Sequence, residues 1–186
     1  CGLGIMTVAT IVFILLGKKI SLRERLVIQE AMNQDTLAGV VRLVKTVVLM
    51  TLAIQFIGAI LLSTRFIPKF GVETGLFYSV FHAISAFCNA GFDLFGGFRS
   101  LTDFAADPVV VLTIAALLVI GGLGFTVTMG FYRRKRFGSL TLHTKIVLVV
   151  TLALLVGATL IIFAVEYANP ATLGQFGFFD KLMNAF

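Results

Sequence analysis

The feature that most constrains this chain is an uncharged run at residues 75–92, with the sequence GLFYSVFHAISAFCNAGF. A helix over residues 75–87 would rise only about 20 Å at 1.5 Å per residue, whereas the hydrocarbon core of a bilayer is about 30 Å thick. Asn89, Ala90 and Gly91 then form a turn sequence. The run therefore predicts half a membrane span followed by non-helical backbone. Membranes tolerate such backbone only where it is buried in protein or lines a water-filled cavity.

The composition indicates an integral membrane protein. Hydrophobic residues make up 59% of the chain, whereas soluble domains contain about 45–50%. Uncharged runs at residues 46–64, 108–132 and 146–165 are each long enough to cross a bilayer. A fourth run, residues 1–17, is interpreted as the end of a span and not as a signal peptide, because no basic segment precedes it.

The basic residues are concentrated in alternate loops. Of the 15 Lys and Arg residues, 11 lie in residues 17–45 and 132–145, a placement that does not predict a nucleic-acid partner. The positive-inside rule places these two segments in the cytoplasm and residues 65–107 and 166–186 outside. One basic cluster is also a candidate contact with a cytoplasmic partner or with anionic membrane lipid. This cluster consists of Arg133, Arg134, Lys135 and Arg136.

Two short motifs recur at an offset of 120 residues. GLGI at residues 2–5 recurs as GLGF at residues 122–125, and ISLRER at 20–25 recurs as LTLHTK at 140–145. Each pair combines a glycine-marked span with a basic loop, which indicates a repeated unit. We expect the end of a first repeat at residues 1–16, followed by a cytoplasmic linker at 17–45. A second repeat is expected over 46–131, with helix 46–64, pore helix 75–87, filter 88–92 and helix 108–131. A basic cytoplasmic loop at 132–145 then leads to the start of a third repeat at 146–186, with helix 146–165 and a truncated pore helix 178–186.

The loop after the half-span has the chemistry expected of a cation filter. Backbone carbonyls can replace the hydration shell of a cation without carrying a net charge. A row of carbonyls turned to one axis requires a glycine at positive φ, and Gly91 can supply it. Asp93 would lie at the outer mouth, where it could concentrate cations, and an ordinary loop or cap role is the equal alternative. The predicted filter residues are Cys88, Asn89, Ala90, Gly91 and Phe92.

Three further features bear on how the loop is held. Asp107 and Pro108 form a helix N-terminus. His82 is expected to be a buried histidine whose ring is satisfied by a neighbour. The glycines of the following span would allow close packing, either with another span or with the re-entrant loop and pore. These pore-adjacent glycines are Gly121, Gly122 and Gly124.

Taken together, FHAISAFCNAGFDL at residues 81–94, IGGLGFTV at 120–127 and the basic loop resemble the second repeat of the Trk/Ktr/HKT potassium transporters, in particular the membrane subunits of bacterial Ktr systems. GLGIMTV at residues 2–8 resembles the end of the first repeat, and FFDKLMNAF at 178–186 resembles the start of the third pore helix. The resemblance implies an all-α integral membrane protein of repeated helix–pore loop–helix units, forming a potassium-channel-like pore with Gly91 as a filter glycine.

The same resemblance implies the biological setting. It implies K⁺ uptake across the bacterial plasma membrane by a multi-pass protein, with Na⁺ as an alternative ion and no other cofactor or metal. It also implies a homodimer docked on a cytoplasmic nucleotide-binding regulatory ring of the KtrA type.

Two other function classes explain fewer features. A secondary transporter with a re-entrant hairpin, for another cation or a small solute, would carry polar groups near the midplane of its spans. Apart from Gln55, these spans offer only hydroxyls. An enzyme is not predicted, because the chain has no GxSxG, HExxH or phosphate-binding glycine loop, and its two His residues lie 61 positions apart. Cys1 and Cys88 lack the spacing of a metal site.

Overall fold

The computed structural model describes residues 40–124, 127–128, 130, 137–169, 172–175 and 177–186, with side chains from residue 46 onward. The segment predicted at 1–16, nearly all of the linker at 17–45 and the basic cluster at 133–136 lie outside the described residues. The chain divides into two compact units between Ile54 and Gln55. Of the first unit, the described part is the beginning of one helix, and the features below belong to the second.

The described residues form helices joined by turns and loops, and they contain no strand. Two of the helices are apolar and long enough to cross a bilayer, over Thr46–Phe70 and Leu142–Glu166, as expected of an integral membrane protein. Short 3₁₀ turns cover Thr102–Phe104, Phe137–Ser139 and Leu173–Gln175. The helices with defined bounds are α1 (Val40–Phe70), α2 (Val72–Phe87), α3 (Pro108–Leu123), α4 (Leu142–Glu166) and α5 (Phe178–Ala185).

Helix α1 is longer than the helix predicted over 46–64 at both ends, and the charges near its C-terminal end have partners. Arg65 Nε lies 3.3 Å from Asp107 Oδ2, and Lys69 Nζ lies 4.0 Å from Asp103 Oδ2. Lys69 Nζ also lies 4.2 Å from the centroid of the Phe104 ring, a cation–π contact. The helix continues past Arg65, the charged residue at which its uncharged run ends.

A single glycine separates α1 from α2. Gly71 has φ 83°, in the left-handed region that a residue without Cβ adopts at little cost. The chain turns back so tightly that a Cβ at Gly75 would lie 2.7 Å from the Cα of Ile67 and 2.9 Å from the carbonyl carbon of Phe66. The short helix α2 is therefore packed directly against the end of α1.

Helix α3 begins where the sequence predicts and ends earlier. Asp107 Oδ1 accepts hydrogen bonds from the N–H groups of Val109 (3.0 Å) and Val110 (3.4 Å), which is an N-cap followed by Pro108 at the first helical position. The predicted end was residue 131, but the helix stops at Leu123 because Gly124 has φ 79°.

Helices α4 and α5 form a second pair. Thr141 Oγ1 caps the start of α4 by accepting from the N–H of Thr144 at 3.3 Å. Helix α5 packs against the other end of α4. There Lys181 Nζ donates to the carbonyl of Tyr167 at 2.8 Å.

The N-cap of α3 provides a test of this arrangement. Asp107→Ala should lower the free energy of unfolding by about 1–2 kcal/mol, because it removes the cap together with the ion pair to Arg65. Asp107→Ser keeps a capping oxygen and should recover most of the loss. Thermal unfolding of the purified full-length protein in detergent measures both. Asp103→Ala is the control, since an exposed ion pair contributes little. Equal losses for Asp107→Ala and Asp107→Ser would contradict the capping role.

Candidate functional site

Helix α2 ends in a hydrogen-bonded cap that explains why it stops at Phe87. It has 16 residues, a rise of about 24 Å at 1.5 Å per residue, which is shorter than a bilayer core. The N–H of Asn89 donates to the carbonyl of Ala86 (3.0 Å) and the N–H of Ala90 donates to that of Ser85 (2.9 Å). Asn89 itself has φ 52°. This is a Schellman motif with Asn in the left-handed position that glycine usually occupies.

The cap uses the N–H groups of Asn89 and Ala90, and several carbonyls of the loop have no donor among the described residues. Gly91 adopts φ 72°, so the positive φ expected of this residue is present. Within the described residues, no hydrogen bond reaches the carbonyl oxygens of Asn89, Ala90 and Gly91. The carbonyl of Phe92, in contrast, accepts a hydrogen bond from Ser85 Oγ at 2.8 Å. The five predicted filter residues are thus not equivalent.

Helix α3 supports the loop through its glycines. A Cβ built on Gly121 would overlap the carbonyl oxygen of Phe87 and lie 2.9 Å from its carbonyl carbon. The nearest atom to a Cβ on Gly122 would be Asn89 Nδ2, at 3.8 Å. Asn89 Nδ2 in turn donates to the carbonyl of Leu118 at 3.4 Å. Gly121 and Gly122 therefore lie against the end of α2 and its loop.

Gly124, which the sequence analysis grouped with Gly121 and Gly122, does not pack against α2 or its loop in the described structure. Among the described residues, no atom of a neighbouring segment lies within 4 Å of a Cβ position on Gly124. Its role in the described structure is conformational, because it ends α3 at positive φ.

Aromatic rings hold the other side of the loop. The ring of His82 stacks on Phe95 with centroids 4.6 Å apart and an interplanar angle of 23°. Phe66 is fully buried and meets both rings edge-on, at 5.7 Å from His82 and 5.6 Å from Phe95. We call the set that packs around Phe66 the aromatic cluster; it consists of Phe66, Phe70, Tyr78, His82, Phe95 and Phe104.

His82 is buried, as expected, but only one of its two ring nitrogens has a hydrogen-bond partner among the described residues. His82 Nδ1 lies 2.7 Å from the carbonyl of Tyr78, so this nitrogen carries the proton in the hydrogen-bonded tautomer. Nε2 is buried and has no hydrogen-bond partner among the described residues. The ring is held by stacking on one side and by one hydrogen bond on the other.

The TrkH family of cation transport proteins matches residues 1–178 of the chain. The chain belongs to this family. The resemblance read from the loop at residues 88–92 and the glycine-rich span is thereby confirmed.

Several relatives align with nearly the whole chain. Ktr system potassium uptake protein B is 48% identical over 181 residues in Bacillus subtilis (strain 168), covering 97% of this chain and 40% of that protein. The protein of the same name in Vibrio alginolyticus is 43% identical over 176 residues, 94% of this chain and 38% of that protein. Potassium/sodium uptake protein NtpJ of Enterococcus hirae is 40% identical over 185 residues, 100% of this chain and 40% of that protein. The chain spans about two fifths of the length of these relatives.

The structure also describes the contacts of Asp93, the residue that directly follows the loop. Asp93 is exposed, and its Oδ1 accepts a hydrogen bond from the N–H of Phe95 at 3.1 Å, which is an Asx turn. In the part of the chain that the structure describes, no three His, Cys, Asp or Glu side chains converge as a metal site.

The sequence analysis did not identify Ser85 and Phe95 as residues that hold the loop. Ser85 bonds to Phe92, seven residues away, and Phe95 stacks on His82, 13 residues away.

The contact between Gly121 and Phe87 gives a matched pair of variants. Gly121→Ala should lower the free energy of unfolding by about 1–3 kcal/mol, because backbone atoms of α2 must move to accept the new methyl group. Gly122→Ala adds the same methyl group to the same helix at an ordinary contact distance and should be tolerated. Thermal unfolding of both full-length variants in detergent tests this. Equal stability of the two variants would refute the close approach.

Proposed function

We propose that this chain is part of the membrane subunit of a potassium uptake system, and that K⁺ passes the loop at residues 88–92. The observation that carries the proposal is the set of carbonyl oxygens of Asn89, Ala90 and Gly91, which have no donor among the described residues. They follow a helix too short to cross the bilayer. The proposal is supported by the relatives, which are named for potassium uptake and for potassium/sodium uptake.

The chemistry of the loop suits a monovalent cation. An ion leaving water needs oxygen ligands in place of its hydration shell, and neutral carbonyls supply them without binding it too tightly to leave. The C-terminal end of α2 carries the partial negative charge of the helix dipole, so it favours a cation next to the loop. We assign the filter to Cys88, Asn89, Ala90, Gly91 and Phe92, and the outer mouth to Asp93.

The proposed assembly follows from the family. Four helix–pore loop–helix units would surround one pathway in a multi-pass subunit of the bacterial plasma membrane, because a ring of carbonyls requires several loops. Residues 65–107 would face outward and 132–145 the cytoplasm, as the basic residues indicate. The subunit would form a homodimer on a nucleotide-binding ring of the KtrA type. Since one relative is named a potassium/sodium uptake protein, Na⁺ is the second ion to be measured.

Replacing the filter glycine tests the proposal. In Gly91→Ser, a Cβ disfavours the observed φ of 72°, and the added side chain lies next to the carbonyls. The apparent affinity for K⁺, or the K⁺/Na⁺ ratio, should fall about tenfold, which corresponds to about 1.4 kcal/mol. The measurement is uptake of both ions by a transport-deficient strain that carries the full-length variant at wild-type abundance in the membrane.

Gly96→Ser is the matched control for this variant. Gly96 also has a positive φ, 70°, and among the described residues no atom lies within 4 Å of its Cβ position. The backbone strain is therefore equivalent, but the residue lies outside the proposed filter. Ion affinity and discrimination should be unchanged in Gly96→Ser. If Gly91→Ser transports like the wild type, the loop is not the filter.

The basic cluster tests the proposed cytoplasmic partner. Neutralising Arg133, Arg134, Lys135 and Arg136 to Gln should weaken association of the full-length subunit with a KtrA-type ring. The loss should shrink in high salt, because exposed charges act over about 8 Å at physiological ionic strength. Co-purification across a salt series measures it. Association that does not change at low salt would restrict the cluster to setting membrane orientation.

A further inference from the structure

The hydroxyl of Ser85 connects the pore helix α2 to the chain that leaves the proposed filter. Ser85 is 7% exposed and donates to the carbonyl of Phe92 at 2.8 Å. Two other buried helical hydroxyls bond to the carbonyl four residues back in their own helix: Ser79 Oγ to Gly75 at 2.6 Å and Thr159 Oγ1 to Leu155 at 2.8 Å. Such back-bonding to the preceding turn is the usual arrangement. Ser85 departs from it and reaches seven residues forward.

A second contact holds the same stretch of chain, residues 92–95, which we call the exit limb. His82 lies one turn before Ser85 on the same face of α2, and its ring stacks on Phe95 at 4.6 Å. The exit limb is therefore fixed to one face of α2 at its first residue by a hydrogen bond and at its last residue by a ring. The contact at Phe92 is made through its backbone, because its side chain is 71% exposed.

The position of the hydrogen bond gives it a role in ion selection. Gly91, with φ 72°, has no side chain to restrain the two peptide groups on either side of it. The carbonyl of Phe92 is the first group after Gly91 that a side chain holds. We infer that Ser85 is a positioning residue: by fixing the Phe92 carbonyl it fixes the direction of the Gly91 carbonyl, and thereby sets the K⁺/Na⁺ discrimination of the loop. This inference rests on the proposed function of residues 88–92.

Three variants of the full-length protein separate positioning from packing. Ser85→Ala removes the hydroxyl, Ser85→Thr retains it, and Ser79→Ala removes a buried hydroxyl of α2 that does not reach the loop. The ratio of K⁺ to Na⁺ uptake is measured at equal membrane abundance in a transport-deficient strain. We expect Ser85→Ala to lower this ratio about three- to tenfold, the range of one hydrogen bond. Ser85→Thr and Ser79→Ala should keep it.

The outcomes distinguish this inference from the proposed function. A ratio unchanged in Ser85→Ala but lowered in Gly91→Ser overturns the positioning role and leaves the filter in place. Unchanged ratios in both variants overturn both. Equal losses in Ser85→Ala and Ser79→Ala also overturn positioning, because the effect would then be general to the helix. If Ser85→Ala does not reach the membrane, Ser85→Cys decides, since a thiol is close in size to the hydroxyl but a weak hydrogen-bond donor: a lowered ratio supports the inference and a wild-type ratio overturns it.

Discussion

The carbonyl end of α2 lies against Gly121 of α3. This contact between the two backbones determines where the loop after α2 begins. A helix that ends at membrane depth leaves terminal carbonyls that lipid cannot satisfy. Two of them accept hydrogen bonds from the N–H groups of Asn89 and Ala90. Because α3 carries no side chain at Gly121, it can approach the end of α2 without displacing this cap. A methyl group there would separate the two helices where the loop begins.

The side of α2 that faces α1 is held by different means. Gly71 and Gly75 allow α2 to fold back on α1 without an intervening loop. The buried ring of Phe66 then contacts both His82 on α2 and Phe95 on the exit limb. The loop is therefore supported from two directions, by backbone packing on α3 and by aromatic packing on α1. Rings with few rotatable bonds suit this role, because little conformational entropy is lost when they are fixed.

The sequence was sufficient to predict features that depend on local chemistry. The absence of charge, the short length and the Asn-Ala-Gly turn predicted that the half-helix of 75–87 would give way to loop at residue 88, and α2 ends at Phe87. Asp107 predicted the start of α3. Features that depend on distant partners were not predictable. Helix α1 passes Arg65 because Asp107 lies beside it in space, 42 residues later in the chain. The Ser85 hydrogen bond was missed because a buried helical serine usually bonds its own helix.

The residue that follows the C-cap of α2, Asn89, connects the end of this helix both to the loop and to α3. Glycine would fit the left-handed position of Asn89 at lower conformational cost. Asparagine tolerates this φ and adds a side-chain amide, which donates to the carbonyl of Leu118 at 3.4 Å. The one residue thus closes the helix with its backbone N–H and attaches the loop to α3 with its side chain. Both donors of Asn89 are used inward, and the same residue's carbonyl is left without a donor among the described residues. The carbonyl end of a helix closed in this way carries a partial negative charge, which favours a cation over an anion beside the loop.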